Sequence, residues 1–156
     1  MAEINKDELK DMVRQIIAEI LKENRGPQPG PPTPSWKELD PSGIMGVRLS
    51  QVKPEPFDTG KQDDKVFLKD ISSLPESPRL GFGVMEMDQS TFKWTLNYDE
   101  VDYVIEGVLD ILINGRKISA KAGEVIFIPA KSTIEFSAAG FVRFFYVVYP
   151  ANWYEQ

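Results

Sequence analysis

Apolar and polar residues follow two different periods along this chain. Between Asn5 and Asn24, the residues Leu9, Met12, Val13, Ile16, Ile17, Ile20 and Leu21 recur at the i, i+3, i+4, i+7 spacing of one helical stripe. Lys10, Asp11, Arg14 and Gln15 fall outside that stripe. Asn5 is a good N-cap, Glu8 stands three positions later, and Gly26-Pro27 is a stop signal. The pattern predicts an amphipathic helix over residues 5–24. From Trp36 onward the helical period is lost and short β-rich runs replace it: 65–71, 79–87, 92–98, 101–106, 108–113, 116–120, 124–128, 133–137 and 141–149. Gly, Pro, Asn and Asp separate them, and Asn114-Gly115 is a type I′ hairpin signal. Strands in this number and spacing predict an antiparallel sandwich or barrel.

Between the two patterns lies GPQPGPPTPS, residues 26–35, in which five of ten residues are Pro. Such a segment supports neither ladder nor helix and acts as an extended, semi-stiff spacer. The predicted organisation is therefore a helix over 1–25, a linker over 26–40 and a β domain over 41–156. A tethered helix with a wide apolar stripe must bury it. It either folds back on its own domain, pairs with its copy, or docks on a separate partner; its mixed-sign polar face argues against a membrane surface. In Phe141–Tyr149 both parities are largely apolar. One face should meet the core, and the other a second sheet, the N-terminal segment or another subunit. A homodimer is predicted from this face.

Composition narrows the chemistry. The 156 residues contain no His and no Cys. This excludes disulfides, thiolate nucleophiles, Ser-His-Asp triads, His general bases, Cys/His zinc sites and the 2-His-1-carboxylate iron site. With 18 Lys and Arg against 24 Asp and Glu, the net charge is -6, the wrong sign for a nucleic-acid partner. No run approaches the roughly 18 apolar residues of a membrane span, and charges interrupt the N-terminus where a secretory signal would need an apolar stretch. A soluble, cytoplasmic protein is expected.

Two spacings suggest the fold. Glu100 precedes Gly107 in EVDYVIEG, and Gly123 precedes Pro129 in GEVIFIP. They resemble the two motifs of the cupin superfamily, an antiparallel jelly-roll β-barrel. The His-x-His pair that normally precedes the Glu is replaced by Trp94 and Leu96, or by Lys93 and Thr95, and the second motif's His falls at Ile134. Over about residues 44–153 the wording ESPRLGFGVMEM, FKWTLNYDEVDYVIEG, AGEVIFIPAKSTIEF and VRFFYVVYPANW closely resembles the EutQ family of ethanolamine-utilisation proteins. The resemblance implies a histidine-free cupin encoded with bacterial microcompartments. It also implies an acetate kinase activity, with ATP and Mg2+, that makes acetyl phosphate and ADP. It further implies that residues 5–24 form an encapsulation peptide for a shell or cargo protein, placing the protein inside a microcompartment.

On an inward strand beginning at Glu100, Asp102 shares its face, because side chains alternate with period two. Two buried carboxylates should repel, raising at least one pKa, or hold a hard cation such as Mg2+. The plainer alternative is that an acidic residue here caps a loop or pairs with Lys or Arg at the rim. Glu100, Asp102 and Tyr98 are the candidate catalytic residues, and Glu100 and Asp102 the candidate metal ligands. Lys93, Thr95 and Asn97 lie on one parity and Phe92, Trp94, Leu96 and Tyr98 on the other; the motif allows either to face inward. Lys93, Trp94, Thr95, Asn97, Glu135 and Tyr146 are the candidate substrate contacts, with Tyr146 as a cavity wall and Glu135 directed by alternation away from Ile134. For phosphoryl transfer Lys93, Lys131 or Arg143 could neutralise charge. No G-x-x-x-x-G-K-[ST] cradle is present: Gly60-Lys61 lacks both the upstream Gly and the following Ser or Thr. Three readings follow: a carboxylate-based kinase, a non-catalytic cargo or shell scaffold, and a metal-free small-molecule binder.

Overall fold

The computed structural model describes residues 10–17 and 33–155. Residues 10–17 are helical and exposed, with Met12, Val13, Ile16 and Ile17 all open. The remainder of the expected 5–24 helix, and the linker as far as residue 32, lie outside the described residues.

The β domain contains β1 (Lys37–Leu39), β2 (Met45–Val47), β3 (Glu55–Pro56), β4 (Lys65–Asp70), β5 (Gly81–Asp88), β6 (Thr91–Leu96), β7 (Asp99–Ile113), β8 (Arg116–Lys121), β9 (Val125–Ile128), β10 (Ser132–Ser137) and β11 (Phe141–Tyr149). β3 to β11 form one antiparallel sheet in the order β3-β4-β5-β11-β7-β10-β6, with β8 and β9 also paired to β7. The sheet curls into the expected all-β, cupin-like half-barrel. Asn114 and Gly115 both have positive φ, as a type I′ turn needs, and join β7 to β8 with Ile113 opposite Arg116.

Two expected strands, 101–106 and 108–113, are one long strand. Gly107 joins its halves at φ +79, and a Cβ there would collide with the Phe141 carbonyl oxygen. The first half of β7 pairs with β11 and β9, and the second half pairs with β8 and β10. The strand thus turns the corner of the barrel, with a register shift opposite it at Arg143/Phe144. The interior holds a continuous apolar cluster that includes the wholly buried Phe144, Met87, Leu96, Leu109 and Val104. Phe92, Phe136 and Phe144 stack through it, with ring centroids 5.3 and 6.2 Å apart.

The folded domain starts earlier than residue 41. β1 pairs with β2, and Lys37 Nζ donates to Ile71 O and to the Glu76 carboxylate. Residues 36–40 therefore belong to the domain rather than to the linker. Strands of two or three residues are too short to leave a period, which is why the sequence does not reveal them. This N-terminal segment wraps outside the sheet. Val52, Ile71 and Val84 are buried with Trp36, Met45, Leu49, Phe82 and Phe145. Arg143, ion-paired with Glu86, donates to the carbonyls of Leu49 and Val52 at 2.8 and 2.9 Å. Of the covers expected for the outer face of β11, the N-terminal segment takes Phe145. Phe141 and Tyr149 stay exposed.

Candidate functional site: a buried acid pair and the groove beside it

Glu100 and Asp102 project inward from the start of β7. Asp102 is wholly buried and Glu100 nearly so. Their cross-strand neighbours offer no charge: Glu100 lies between Val148 and Ile128, and Asp102 between Tyr146 and Ile126. Burial pushes the Glu100 carboxyl up to about 7. Burial, followed by the Glu100 charge, holds Asp102 well above the ordinary carboxylate range. The two carboxyls hydrogen-bond each other, and no other group meets either oxygen of Asp102.

The register explains that isolation. Asp70, Gly83, Tyr146 and Asp102 sit side by side across four strands. Tyr146 is next to Asp102, but its hydroxyl reaches over Gly83 and donates to Asp70 at 2.6 Å. Only a glycine permits this, since a Cβ at position 83 would strike the Tyr146 hydroxyl. Burial and the Asp70 charge both keep the Tyr146 phenol protonated.

Glu100 opens onto a small cavity of about 20 Å3. Its walls are mostly aromatic, including Phe57, Phe92, Trp94, Tyr98, Phe136, Tyr146 and Trp153. Trp94 Nε1 donates to the Tyr98 hydroxyl at 2.9 Å, and burial followed by the Glu100 charge raises the Tyr98 pKa. Trp153, on the short 3-10 turn Trp153–Glu155, closes one end, 5.8 Å from the Tyr98 ring and 6.4 Å from the Trp94 ring. On its other side Trp153 lines a groove of about 510 Å3 with Lys37, Asp70, Ser72, Ser73, Glu76, Ser77 and Asn152.

This placement decides the parity of β6. The aromatic set faces inward, so Trp94 and Tyr98 join Glu100 and Tyr146 in the cavity. Lys93, Thr95, Asn97 and Glu135 are exposed on the opposite face, where Lys93 pairs in register with Glu135. Alternation takes all four away from the barrel, so they are not contacts for a ligand inside it. Phe57, Leu68 and Met85 of the cavity wall, and Asp70 and Lys37 of the groove, carry no signal in the sequence. They come from distant strands, and no local spacing links them to Glu100. Trp153 was visible only as part of the distinctive terminal YPANW.

A resident Mg2+ does not fit the acid pair. Mg2+ demands six oxygens and keeps several waters, whereas the cavity has room for about one or two water-sized groups and has largely aromatic walls. Among the described residues no three acidic side chains converge as a metal site.

Comparison with known proteins identifies the lineage. The family model described as "Ethanolamine utilisation protein EutQ" matches residues 4–155. The chain belongs to the EutQ family. It is 47% identical to a Clostridioides difficile protein named acetate kinase EutQ, over all of this chain and 98% of that protein. An Escherichia coli protein of the same name is 38% identical over 92% of the chain, which spans 62% of that longer relative. The solved structure of the Clostridium difficile EutQ protein superposes with a TM-score of 0.77 at 53% identity, over 80% of this chain and 93% of that one. At 16% identity and a TM-score of 0.56, the Schizosaccharomyces pombe Cnp3 cupin domain, aligned over 67% of this chain and 73% of its own, shares the fold. The barrel is thus a cupin. No helix among the described residues is long and apolar enough to cross a membrane.

Proposed function

We propose that this member of the EutQ family is an acetate kinase of ethanolamine utilisation, transferring the γ-phosphoryl group of ATP to acetate. Its full-length similarity to a protein of that name is the observation that carries the reading. The groove beside Trp153 supports it, since its volume suits a nucleotide. A carboxylate oxygen of acetate attacks the γ-phosphorus, the bond from that phosphorus to the β,γ-bridging oxygen breaks, and acetyl phosphate and ADP result. Acetate is already ionised at neutral pH and ADP leaves as an anion, so no general base is needed. Positioning and charge neutralisation do the work. We assign ATP, entering with its own Mg2+ as substrate, to the groove, where Ser72, Ser73 and Asn152 are polar contacts and Lys37 would reach phosphate by exchanging its Glu76 partner. Glu100, Asp102 and Tyr98 have no proton to move in this step. In the purified full chain, Lys37→Ala should lower acetyl phosphate formation at least tenfold with its circular dichroism and melting unchanged, which a loss of the Ile71 and Glu76 tether alone would not do. Glu100→Gln should leave most of it. The opposite pattern would return the chemistry to the barrel, and no turnover by the wild-type chain would end the kinase reading.

A second reading concerns placement rather than catalysis. The open side chains of Met12, Val13, Ile16 and Ile17 support the role of residues 5–24 as a docking helix for a microcompartment shell or cargo protein. Deleting residues 1–25 should release the protein from shells while leaving the β domain folded. If the truncated protein still co-purifies with shells, the docking role lies elsewhere. The apolar outer patch of Val101, Tyr103, Val125, Phe127 and Tyr149 supports a homodimer.

A further inference from the structure

The phosphoryl transfer leaves the acid pair without a task. A buried acid pair keeps a proton unless a cation meets it, and no Lys or Arg lines the cavity. Asp102 is wholly buried, one pleat from Glu100 on the same inward face, and meets no group other than the Glu100 carboxyl. The remaining wall is mostly aromatic, with Leu68, Met85 and Val148, and ring faces attract cations electrostatically. Two carboxylates among rings do not make the oxygen cage that a metal ion requires. They do match an ion that carries its own N–H donors and a little apolar surface. The volume of about 20 Å3 limits the occupant to very few heavy atoms.

We propose that the barrel cavity is a binding site for a small primary ammonium ion, with its N–H groups on the Glu100 carboxylate and its charge among Trp94 and the neighbouring rings. Asp102 adds negative charge behind Glu100. Tyr146 cannot donate to it, because its hydroxyl is committed to Asp70. This site goes beyond the kinase reading and does not depend on it.

The test is a titration of the full-length protein with methylammonium chloride, followed by calorimetry and by tryptophan fluorescence, since Trp94 and Trp153 both line the cavity. Saturable binding is expected. Sodium chloride and tetramethylammonium chloride at the same ionic strength should give none, because the first lacks N–H donors and the second lacks them and is too large. Glu100→Gln should weaken binding at least tenfold, and Trp94→Leu severalfold. Should Glu100→Gln fail to fold, Trp94→Leu at its half-buried position decides. The proposal is overturned if methylammonium does not saturate, if tetramethylammonium binds equally well, if Mg2+ competes at equal concentration, or if the folded variants bind as the wild type does.

Discussion

The two halves of β7 obey opposite rules. Beyond Gly107, Leu109 and Ile111 point into the core, while Asp110 points outward and pairs with Lys117 of β8 at 3.1 Å. This is ordinary antiparallel alternation, apolar inside and polar outside. At the start of the strand the order is inverted: Glu100 and Asp102 are inside, Val101 and Tyr103 are exposed, and Val104 returns to the apolar interior. One strand and one backbone therefore serve two purposes. The regular half stabilises the barrel. The inverted stretch carries an acid pair inside and uncovered apolar side chains outside; the ammonium ion proposed above would meet the first, and the proposed dimer would cover the second.

This contrast predicts mutations of opposite sign. Leu109→Ala, in the regular half, should cost about 3–4 kcal/mol for lost burial and the void it leaves. Asp102→Leu, in the inverted stretch, should raise stability by about 1–3 kcal/mol by removing a wholly buried carboxyl that meets only Glu100. Urea unfolding of both variants checks the pair, and a destabilised Asp102→Leu would show that the acid has a further partner in the native protein.

The next largest effect is on pH. Glu100 faces Asp102, Tyr98 and Tyr146 across the cavity, with no basic group lining it. Its carboxyl is raised from 4.5 to about 7, so the native state keeps a proton that the unfolded chain has already lost. Stability should be greatest below about pH 4.5 with respect to this group and fall as pH rises through 7. The loss amounts to about 3 kcal/mol before coupling to Asp102 is counted. Glu100→Gln should reduce that slope in denaturant titrations, leaving the part that the raised Asp102 carboxyl contributes. A slope unchanged in the variant would assign it to another group. Bound methylammonium should also reduce the slope, linking the stability profile to the proposed site.

The smallest effect on the monomer concerns the outer row. Val101 lies opposite Phe127, and Tyr103 opposite Val125. Phe127→Ser should change monomer stability by about 0.5 kcal/mol or less, as exposed substitutions do. In light scattering it should shift a dimer to monomer. A wild-type protein that is monomeric at micromolar concentration would remove the dimer assignment, leaving the exposed row unexplained.

Much of this was readable in the order of residues. Period-two runs, Asn114-Gly115 and the Glu100 and Gly123 spacings announced an antiparallel cupin, because strand alternation and turn chemistry are local properties. The same alternation put Glu100 and Asp102 on one face, and the absence of His and Cys removed the usual cupin metal centre. Whether Trp94 or Lys93 faced that pair depended on how β6 sits against β10, a relation between segments about forty residues apart that neither segment encodes alone. Only the folded barrel brought Phe57 and Trp153 to the cavity of Glu100, used Gly83 to let Tyr146 reach Asp70, and packed residues 36–52 with Phe82 and Phe145. Those choices come from long-range packing and register. A single strand's pattern states which side chains share a face, but only its neighbours determine what that face meets.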